Sequence, residues 1–240
     1  MASQTPFRPQ RPPVNPVYKR VDDYLEERLG AKEDKVLEET LRSSEEAGLP
    51  HQNVSFLHGR LLQILAQSKS AKRILEVGTL GGYSSTFFGR ALLDNEDKSS
   101  IKLISCEVSP EHAAVAKKNI DNAGLSSFAE VRVGAALDTL DQLIENDEPA
   151  FDMFFIDADK INNINYFNRA IKLSKPGSMI VVDNVIMNGE PFDDSKLDIP
   201  FLKGIRDFDD FVTKDDRVIT TILQTVGRRT HDGLALSLVK

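Results

Sequence analysis

The feature that most constrains the fold is a regular alternation of short, mostly apolar segments with amphipathic helical ones. Five predicted strands are each followed by a turn and a helix: RILEV (73–77), KLISCE (102–107), AEVRV (129–133), FDMFFID (151–157) and SMIVVD (178–183). Strands that are apolar along most of their length are typical of a parallel sheet covered by helices on both faces. The alternation therefore predicts an α/β fold.

The end of the chain departs from this alternation. RVITTIL (217–223) and LALSLV (234–239) follow each other with no helix between them, which predicts an antiparallel hairpin at one edge of the sheet. The complete expectation is a mostly parallel sheet of seven strands in one domain. Pro176 and Gly177 are expected to stop the helix that precedes the fifth strand.

The N-terminal part is predicted to be helical and to extend the sheet domain. Helical periodicity covers residues 17–29, 33–47 and 54–67. Residues 1–16 contain five prolines and are expected to form an extended or disordered arm. We therefore expect one domain over 17–240.

Composition excludes several classes of protein. The net charge is −7, from 30 basic and 37 acidic residues, and no basic cluster stands out, so nucleic acid is not an expected partner. No apolar run approaches the roughly 20 residues that span a bilayer, so no membrane association is expected. The start lacks the apolar segment of a secretory signal. The single cysteine, Cys106, fits a reducing compartment, and we expect a cytoplasmic protein.

Ligands of such sheets bind at the carboxyl ends of the strands. The stretch EVGTLGGYSS places glycines after the first strand, where the backbone can approach a ligand closely, and Glu107 ends the second strand 29 residues after Gly78. An acid there accepts hydrogen bonds from ribose hydroxyls. Leu80 breaks the G-x-G-x-x-G fingerprint of NAD enzymes, so the pattern favours a nucleoside cofactor without a pyrophosphate. The alternatives are a plain tight turn and an exposed acid at a helix start.

A second cluster of polar residues follows the fourth and fifth strands. Asp157 ends one, and Asp183 and Asn184 end the other. Consecutive strands are usually neighbours, and two carboxylates with an amide suit Mg²⁺, with Mn²⁺ or Ca²⁺ as alternatives. Lys160 follows closely, and the like charge of a cation would favour its neutral form, suited to a general base. The alternatives are turn and cap roles for the three oxygen ligands, and a solvated surface lysine.

Three motifs then carry a family resemblance: GRLLQILAQSKSAKRILEVGTLGGYSS (59–85), FDMFFIDADK (151–160) and VVDNVIMNG (181–189). With them, residues 17–240 resemble the cation-dependent class I O-methyltransferases, which include the caffeoyl-CoA and catechol enzymes, and look most like the small bacterial and fungal members. The resemblance implies a Rossmann-like fold, the seven-stranded methyltransferase variant. It also implies S-adenosylmethionine (SAM) as methyl donor, a divalent cation, a homodimer and a small polyphenol acceptor. One hydroxyl of a vicinal dihydroxy aromatic of catechol, flavonoid or caffeoyl type would be methylated.

The resemblance also assigns roles position by position. Contacts to SAM are implied for Val54, Glu76, Gly78, Ser84, Glu107, Ala136, Asp157 and Tyr166. Metal ligands would be Asp157, Asp183 and Asn184; Lys160 would be the base and Asn188 a residue on the acceptor side. This chain departs from the family pattern at Gln52 near SAM, and at Asn163 and Met187 near the acceptor.

The role of Asp159, the activity and the identity of the acceptor stay open. Asp159 either faces the substrate or pairs with a neighbour. An NAD-type dehydrogenase is the second reading, disfavoured by Leu80. A SAM-binding protein without catalysis is the third, disfavoured because a pure binder needs neither the metal ligands nor the base. Many acceptors share the same diol, and their recognition is expected to depend on the N-terminal arm and on residues 190–200.

Overall fold

The computed structural model describes residues 15–240, so the predicted arm lies outside the described residues except for its last two positions. These two already belong to the first helix, because Asn15 caps it and Pro16 begins it. The helices are α1 Pro16–Arg28, α2 Lys35–Glu46, α3 Phe56–Ser68, α4 Tyr83–Leu93, α5 Pro110–Asn122, α6 Ala136–Glu145, α7 Asn163–Lys172 and α8 Pro200–Val212. No helix in this part of the chain is long and apolar enough to cross a membrane.

The strands form one seven-stranded sheet in the order β3-β2-β1-β4-β5-β7-β6. Their bounds are β1 Arg73–Val77, β2 Lys102–Glu107, β3 Ala129–Val133, β4 Phe151–Ile156, β5 Ser174–Asp183, β6 Val218–Val226 and β7 His231–Val239. The first five strands run parallel, and β7 inserts antiparallel between β5 and β6. The predicted fold class and the C-terminal hairpin are confirmed.

Two boundaries differ from the prediction. Helix α7 ends at Lys172, and β5 already begins at Ser174, so Pro176 and Gly177 lie inside the strand rather than after the helix. The pairing of β5 with β4 shifts register between Phe151 and Met153, and this irregularity accommodates a proline that cannot donate to the ladder. The hairpin is also longer than expected, since polar residues of β6 and β7 pair through their backbones up to Val226 and His231.

The core lies on both faces of the sheet. Phe155 of β4 points to the face covered by α3 and α4, where its ring centroid lies 5.7 Å from that of Phe88. Phe154 points to the opposite face, with Phe167 of α7 and Phe208 of α8. Successive strand residues face opposite sides, so a strand buried on both faces must be apolar at nearly every position. This arrangement holds the carboxyl ends of β1, β4 and β5 side by side.

Helix α8 carries a buried acid that bears on stability. Asp209 is only 6% exposed, and neither of its carboxylate oxygens has a hydrogen-bond partner among the described residues. Burial raises the pKa of Asp209 to about 7, assisted by the charge of Asp210 and opposed by Arg206. A raised pKa in the folded state means that folding stability falls as pH rises from the ordinary aspartate value to about 7.

We therefore expect Asp209→Asn to flatten the pH dependence of stability. Between pH 4 and 8 the wild type loses up to about 4 kcal/mol of unfolding free energy through this group, and the variant does not. Urea unfolding at several pH values measures the difference. Asp207→Asn is the matched control, because Asp207 is an exposed acid of the same helix paired with Lys203. Parallel pH curves for wild type and Asp209→Asn would contradict the expectation.

Candidate active site

The turn after β1 is packed against the end of β4. Gly78 has φ +91°, and a Cβ added there would lie 2.2 Å from the carbonyl oxygen of Asp157. The Gly78 N–H donates to the carbonyl of Cys106 at 3.0 Å, and the Asp157 N–H to that of Val77 at 2.8 Å. Glycine is therefore required at position 78 by the chain itself, because the turn must pass close to the strand end that carries Asp157.

Glu76 is fully buried beneath this turn. Its carboxylate accepts hydrogen bonds from Ser84, from Ser85 at 2.5 Å and from Ser105 at 2.7 Å. Burial raises the pKa of Glu76, and these hydroxyl donors oppose the rise. Two of the residues predicted to contact SAM, Glu76 and Ser84, therefore form a hydrogen bond with each other.

Glu107 ties the first two strand ends together. Its side chain accepts from the N–H of Leu80 at 2.8 Å and from the N–H of Ser109 at 3.0 Å. The alternative of an exposed acid at a helix start is wrong, because Glu107 is only 7% exposed. Each carboxylate oxygen has a second lone pair, so the bonds to the backbone leave capacity for ribose hydroxyls.

A cavity of about 530 Å³ lies between the glycine turn after β1 and the N-terminal part of the chain, residues 26–56. Val54, Leu80 and Gly81 form part of its wall, with residues of α2 and the β6–β7 connection. Ala136, the remaining predicted SAM contact, begins α6 after β3. Most of the predicted cofactor residues lie at or just after the carboxyl ends of β1 to β4. Val54, which precedes α3, borders this cavity instead.

Lys160 sits at the centre of the second cluster. It begins a 3₁₀ turn after β4 and is 3% exposed, so the alternative of a solvated lysine is wrong. Its Nζ donates to Asp157 Oδ1 at 3.1 Å and to the backbone carbonyl of Asp183 at 2.9 Å. One amine thereby connects the two strand ends that carry the predicted acids.

Asp183 is buried beside this amine. The pKa of Asp183 is raised well above its usual value, mainly by burial and then by the negative charge of Asp157, while Lys160 opposes the rise. His58 of α3 lies behind it, with Nδ1 3.8 Å from Asp183 Oδ2. Burial lowers the pKa of His58, and its Nε2 has no partner among the described residues. His58 was not predicted from the sequence, where its only signal is a polar side chain in the first turn of the largely apolar helix α3.

The donor set at this edge fits a hard divalent cation. Asp157 and Asp183 bring carboxylates. Asn184, held at φ 58°, donates from its amide nitrogen to Asp232 at 3.1 Å, and its amide oxygen has no hydrogen bond to any residue within 15–240. Oxygen ligands of this kind suit Mg²⁺. Within residues 15–240 no group of three or more His, Cys, Asp or Glu side chains is placed to hold a metal by itself. The two acids and one amide would leave coordination positions to water and acceptor.

Asp159 pairs with neighbours in this structure. It accepts from the hydroxyl of Tyr166 at 2.5 Å and from Asn162 Nδ2 at 2.6 Å. The pKa of Tyr166 is raised by its burial and then by the bond to Asp159 and its charge. Asn163, expected near the acceptor, is fully buried at the start of α7, and neither polar atom of its side chain has a partner among the described residues.

The loop after β5 carries the predicted acceptor residue. Asn188 Oδ1 accepts from Thr230 Oγ1 at 2.7 Å and from the His231 N–H at 3.2 Å, which ties the loop to the C-terminal hairpin. The 190–200 segment, which the sequence did not predict in detail, contributes to two 3₁₀ turns, Met187–Phe192 and Asp194–Lys196, before α8 begins.

The sheet order, with β7 inserted antiparallel between β5 and β6, is that of the class I methyltransferase fold. A family described as O-methyltransferase matches residues 27–239, nearly the whole described chain. The protein belongs to this family.

Individual relatives agree with that assignment. A catechol O-methyltransferase of Niastella koreensis is 46% identical over 226 residues, covering 94% of this chain and 99% of the relative. A catechol O-methyltransferase of Mycobacterium tuberculosis is 39% identical, covering 92% and 95%. The crystal structure of a Bacillus cereus O-methyltransferase with S-adenosylhomocysteine aligns with a TM-score of 0.87 at 42% identity, covering 93% of this chain and 99% of that one.

Proposed function

We propose that the protein transfers the methyl group of SAM to one hydroxyl of a vicinal dihydroxy aromatic, with Mg²⁺ or a similar divalent cation at Asp157, Asp183 and Asn184. The observation that carries this proposal is the buried amine of Lys160, bonded between Asp157 and Asp183 at adjacent strand ends. The relatives named catechol O-methyltransferases support a catechol-type acceptor. Flavonoid and caffeoyl-type diols present the same chemical group.

The cofactor would lie along the carboxyl edge of the sheet. Glu107 would accept the ribose hydroxyls with its unused lone pairs, and Gly78 would let the methionine part approach the backbone. Asp157 would contact the amino group of SAM as well as the cation. The other proposed contacts are Val54, Glu76, Ser84, Ala136 and, near the methionine carboxylate, Tyr166.

The cation, when bound, supplies a positive charge that lowers the pKa of the acceptor hydroxyls and orients the diol. Asp157, Asp183 and Asn184 would hold it, and Asn188 would border the acceptor. Bringing the reacting oxygen and the methyl carbon into line between two neighbouring strand ends contributes much of the rate, because positioning replaces a bimolecular encounter.

Lys160 would act as general base at Nζ. A neutral amine has two N–H donors and one lone pair, and its two bonds, to Asp157 Oδ1 and the Asp183 carbonyl, use the two donors. The lone pair is then available to take the proton of the attacking hydroxyl.

The test is methyl transfer from radiolabelled SAM to a panel of diphenols with and without Mg²⁺, followed by mapping of the methylated position. We expect turnover of ortho-diphenols only, with the matching monophenols and meta-diphenols as controls. SAM binding by calorimetry without turnover on any diphenol would favour a non-catalytic binder instead. Reduction of NAD at 340 nm would indicate a dehydrogenase.

We also propose that the protein is a homodimer, as its family resemblance implies. An exposed apolar face on α1 supports this: Val17, Val21, Tyr24 and Leu25 are 40% to 58% exposed and follow helical spacing. Light scattering of the full chain should give twice the mass of 26.7 kDa. A mass of one chain at micromolar concentration would contradict the proposal.

A further inference from the structure

Another buried acid, Asp232, contacts the candidate site and has no role in the proposed function. It lies near the start of β7 and is 7% exposed. Its Oδ1 accepts from the backbone N–H groups of Ile186 at 3.2 Å, Met187 at 3.0 Å and Gly233 at 2.9 Å. Its Oδ2 accepts from Asn184 Nδ2 at 3.1 Å. One carboxylate therefore receives four N–H donors, three of them from the loop after β5.

That loop has an unusual backbone conformation. Asn184, Met187 and Asn188 have φ values of 58°, 42° and 59°, in the left-handed region that residues other than glycine rarely adopt. Such conformations persist only where surrounding contacts hold them. The bonds from Ile186 and Met187 to Asp232 are contacts of this kind, so Asp232 fixes the shape of the loop that begins with a proposed cation ligand.

The bond to Asn184 also determines which way its amide points. A carboxylate can only accept, so the Asn184 nitrogen must face Asp232, and the amide oxygen must point away from it. A cation binds the oxygen of an amide and is repelled by its N–H₂ group. We propose that Asp232 is a positioning residue that orients the amide of Asn184 so that its oxygen faces the divalent cation. This inference rests on the cation site of the proposed function.

The test measures cation affinity directly, by titrating Mn²⁺ alone and following the free ion by electron paramagnetic resonance. In Asp232→Asn, one of the two accepting oxygens becomes an N–H₂ group. That group must face either the Asn184 nitrogen or the backbone N–H groups of the loop, and it can accept from neither. We expect Mn²⁺ affinity to fall about 10- to 100-fold, the usual effect of losing the partner of a metal ligand. The Kd for SAM should stay within about twofold.

A double variant distinguishes a residue that orients the amide of Asn184 from one that only supports the loop after β5. Asp232→Asn combined with Asn184→Asp again places an N–H₂ donor opposite an acceptor, and aspartate tolerates the left-handed conformation. We expect it to recover Mn²⁺ affinity to within about threefold of the wild type, whereas a residue that merely supports the loop would not be rescued by exchanging the partners. Asp209→Asn, at a buried acid of α8 outside this loop, is the matched control and should bind Mn²⁺ like the wild type.

The outcomes are distinguishable. If the wild type binds no Mn²⁺, the cation site is wrong and this inference with it. If the wild type binds and Asp232→Asn binds equally well, only the positioning role is wrong. Should Asp232→Asn not fold, the double variant decides, because a folded double variant that binds more than 10-fold more weakly than the wild type overturns the role.

Discussion

We expect methyl transfer to be lost when Asp183 is replaced by alanine. Asp183 is buried at the end of β5, and burial together with the charge of Asp157 raises the pKa of its carboxyl. Two acids whose charges oppose each other in a buried site need a positive charge to keep both ionised. Under the proposed function, Asp183→Ala removes a ligand of the divalent cation, and the acceptor diol then loses the charge that would activate it. We expect kcat/KM to fall by about 10³-fold or more, which corresponds to several kcal/mol of transition-state stabilisation.

Chelation gives the matching measurement. EDTA should abolish the activity of the wild type, and added Mg²⁺ should restore it, whereas Mg²⁺ should not restore Asp183→Ala or Asp157→Ala. Asp207→Ala, which removes an exposed acid of α8, controls for loss of negative charge and should keep wild-type activity. Full turnover by metal-stripped wild type in EDTA would show that the cation has no role.

The fold was largely predictable because short, mostly apolar segments alternate with amphipathic helices along the sequence. RILEV, KLISCE and AEVRV match β1, β2 and β3 to the residue. β1 and β2 are buried along nearly their whole length and are therefore mostly apolar, whereas the edge strand β3 alternates apolar and charged residues. The start of β5 was not predictable, because Pro176 and Gly177 are ordinarily helix stops and only the register shift against β4 makes them strand residues. The ends of the hairpin were missed because polar residues can pair through the backbone.

Part of the candidate site was also predictable from the sequence, and part of it was not. The acids at the ends of β4 and β5 were predictable, because strands that follow each other in the chain are usually neighbours in the sheet, as these two are. The burial of Lys160 was not visible, because it depends on the packing of α8: a Cβ on Gly204 would lie 2.7 Å from the Lys160 carbonyl oxygen. Asp232 was missed for a related reason. It lies 48 residues after Asn184, and only the insertion of β7 beside β5 brings the two together.

The second large effect is expected at Lys160. Replacing it with methionine keeps the length and apolar stem of the side chain but removes the amine that contacts Asp157 Oδ1 and the Asp183 carbonyl. We expect kcat to fall about 10² to 10⁴-fold, the usual contribution of a positioned general base. The Kd for SAM should change far less, because the residues proposed to hold the cofactor lie mainly at the ends of β1, β2 and β3.

Lys160→Arg then separates the two roles that an amine can have here. Arginine keeps the positive charge and can donate to the same oxygens, but it does not lose its proton in proteins and therefore cannot serve as a base. If Lys160 only neutralises Asp157, the arginine variant keeps much of the wild-type kcat. If Lys160 takes the hydroxyl proton, Lys160→Arg loses as much activity as Lys160→Met. In both variants the rate should then rise steadily with pH, because ionisation of the acceptor hydroxyl in solution replaces the missing base.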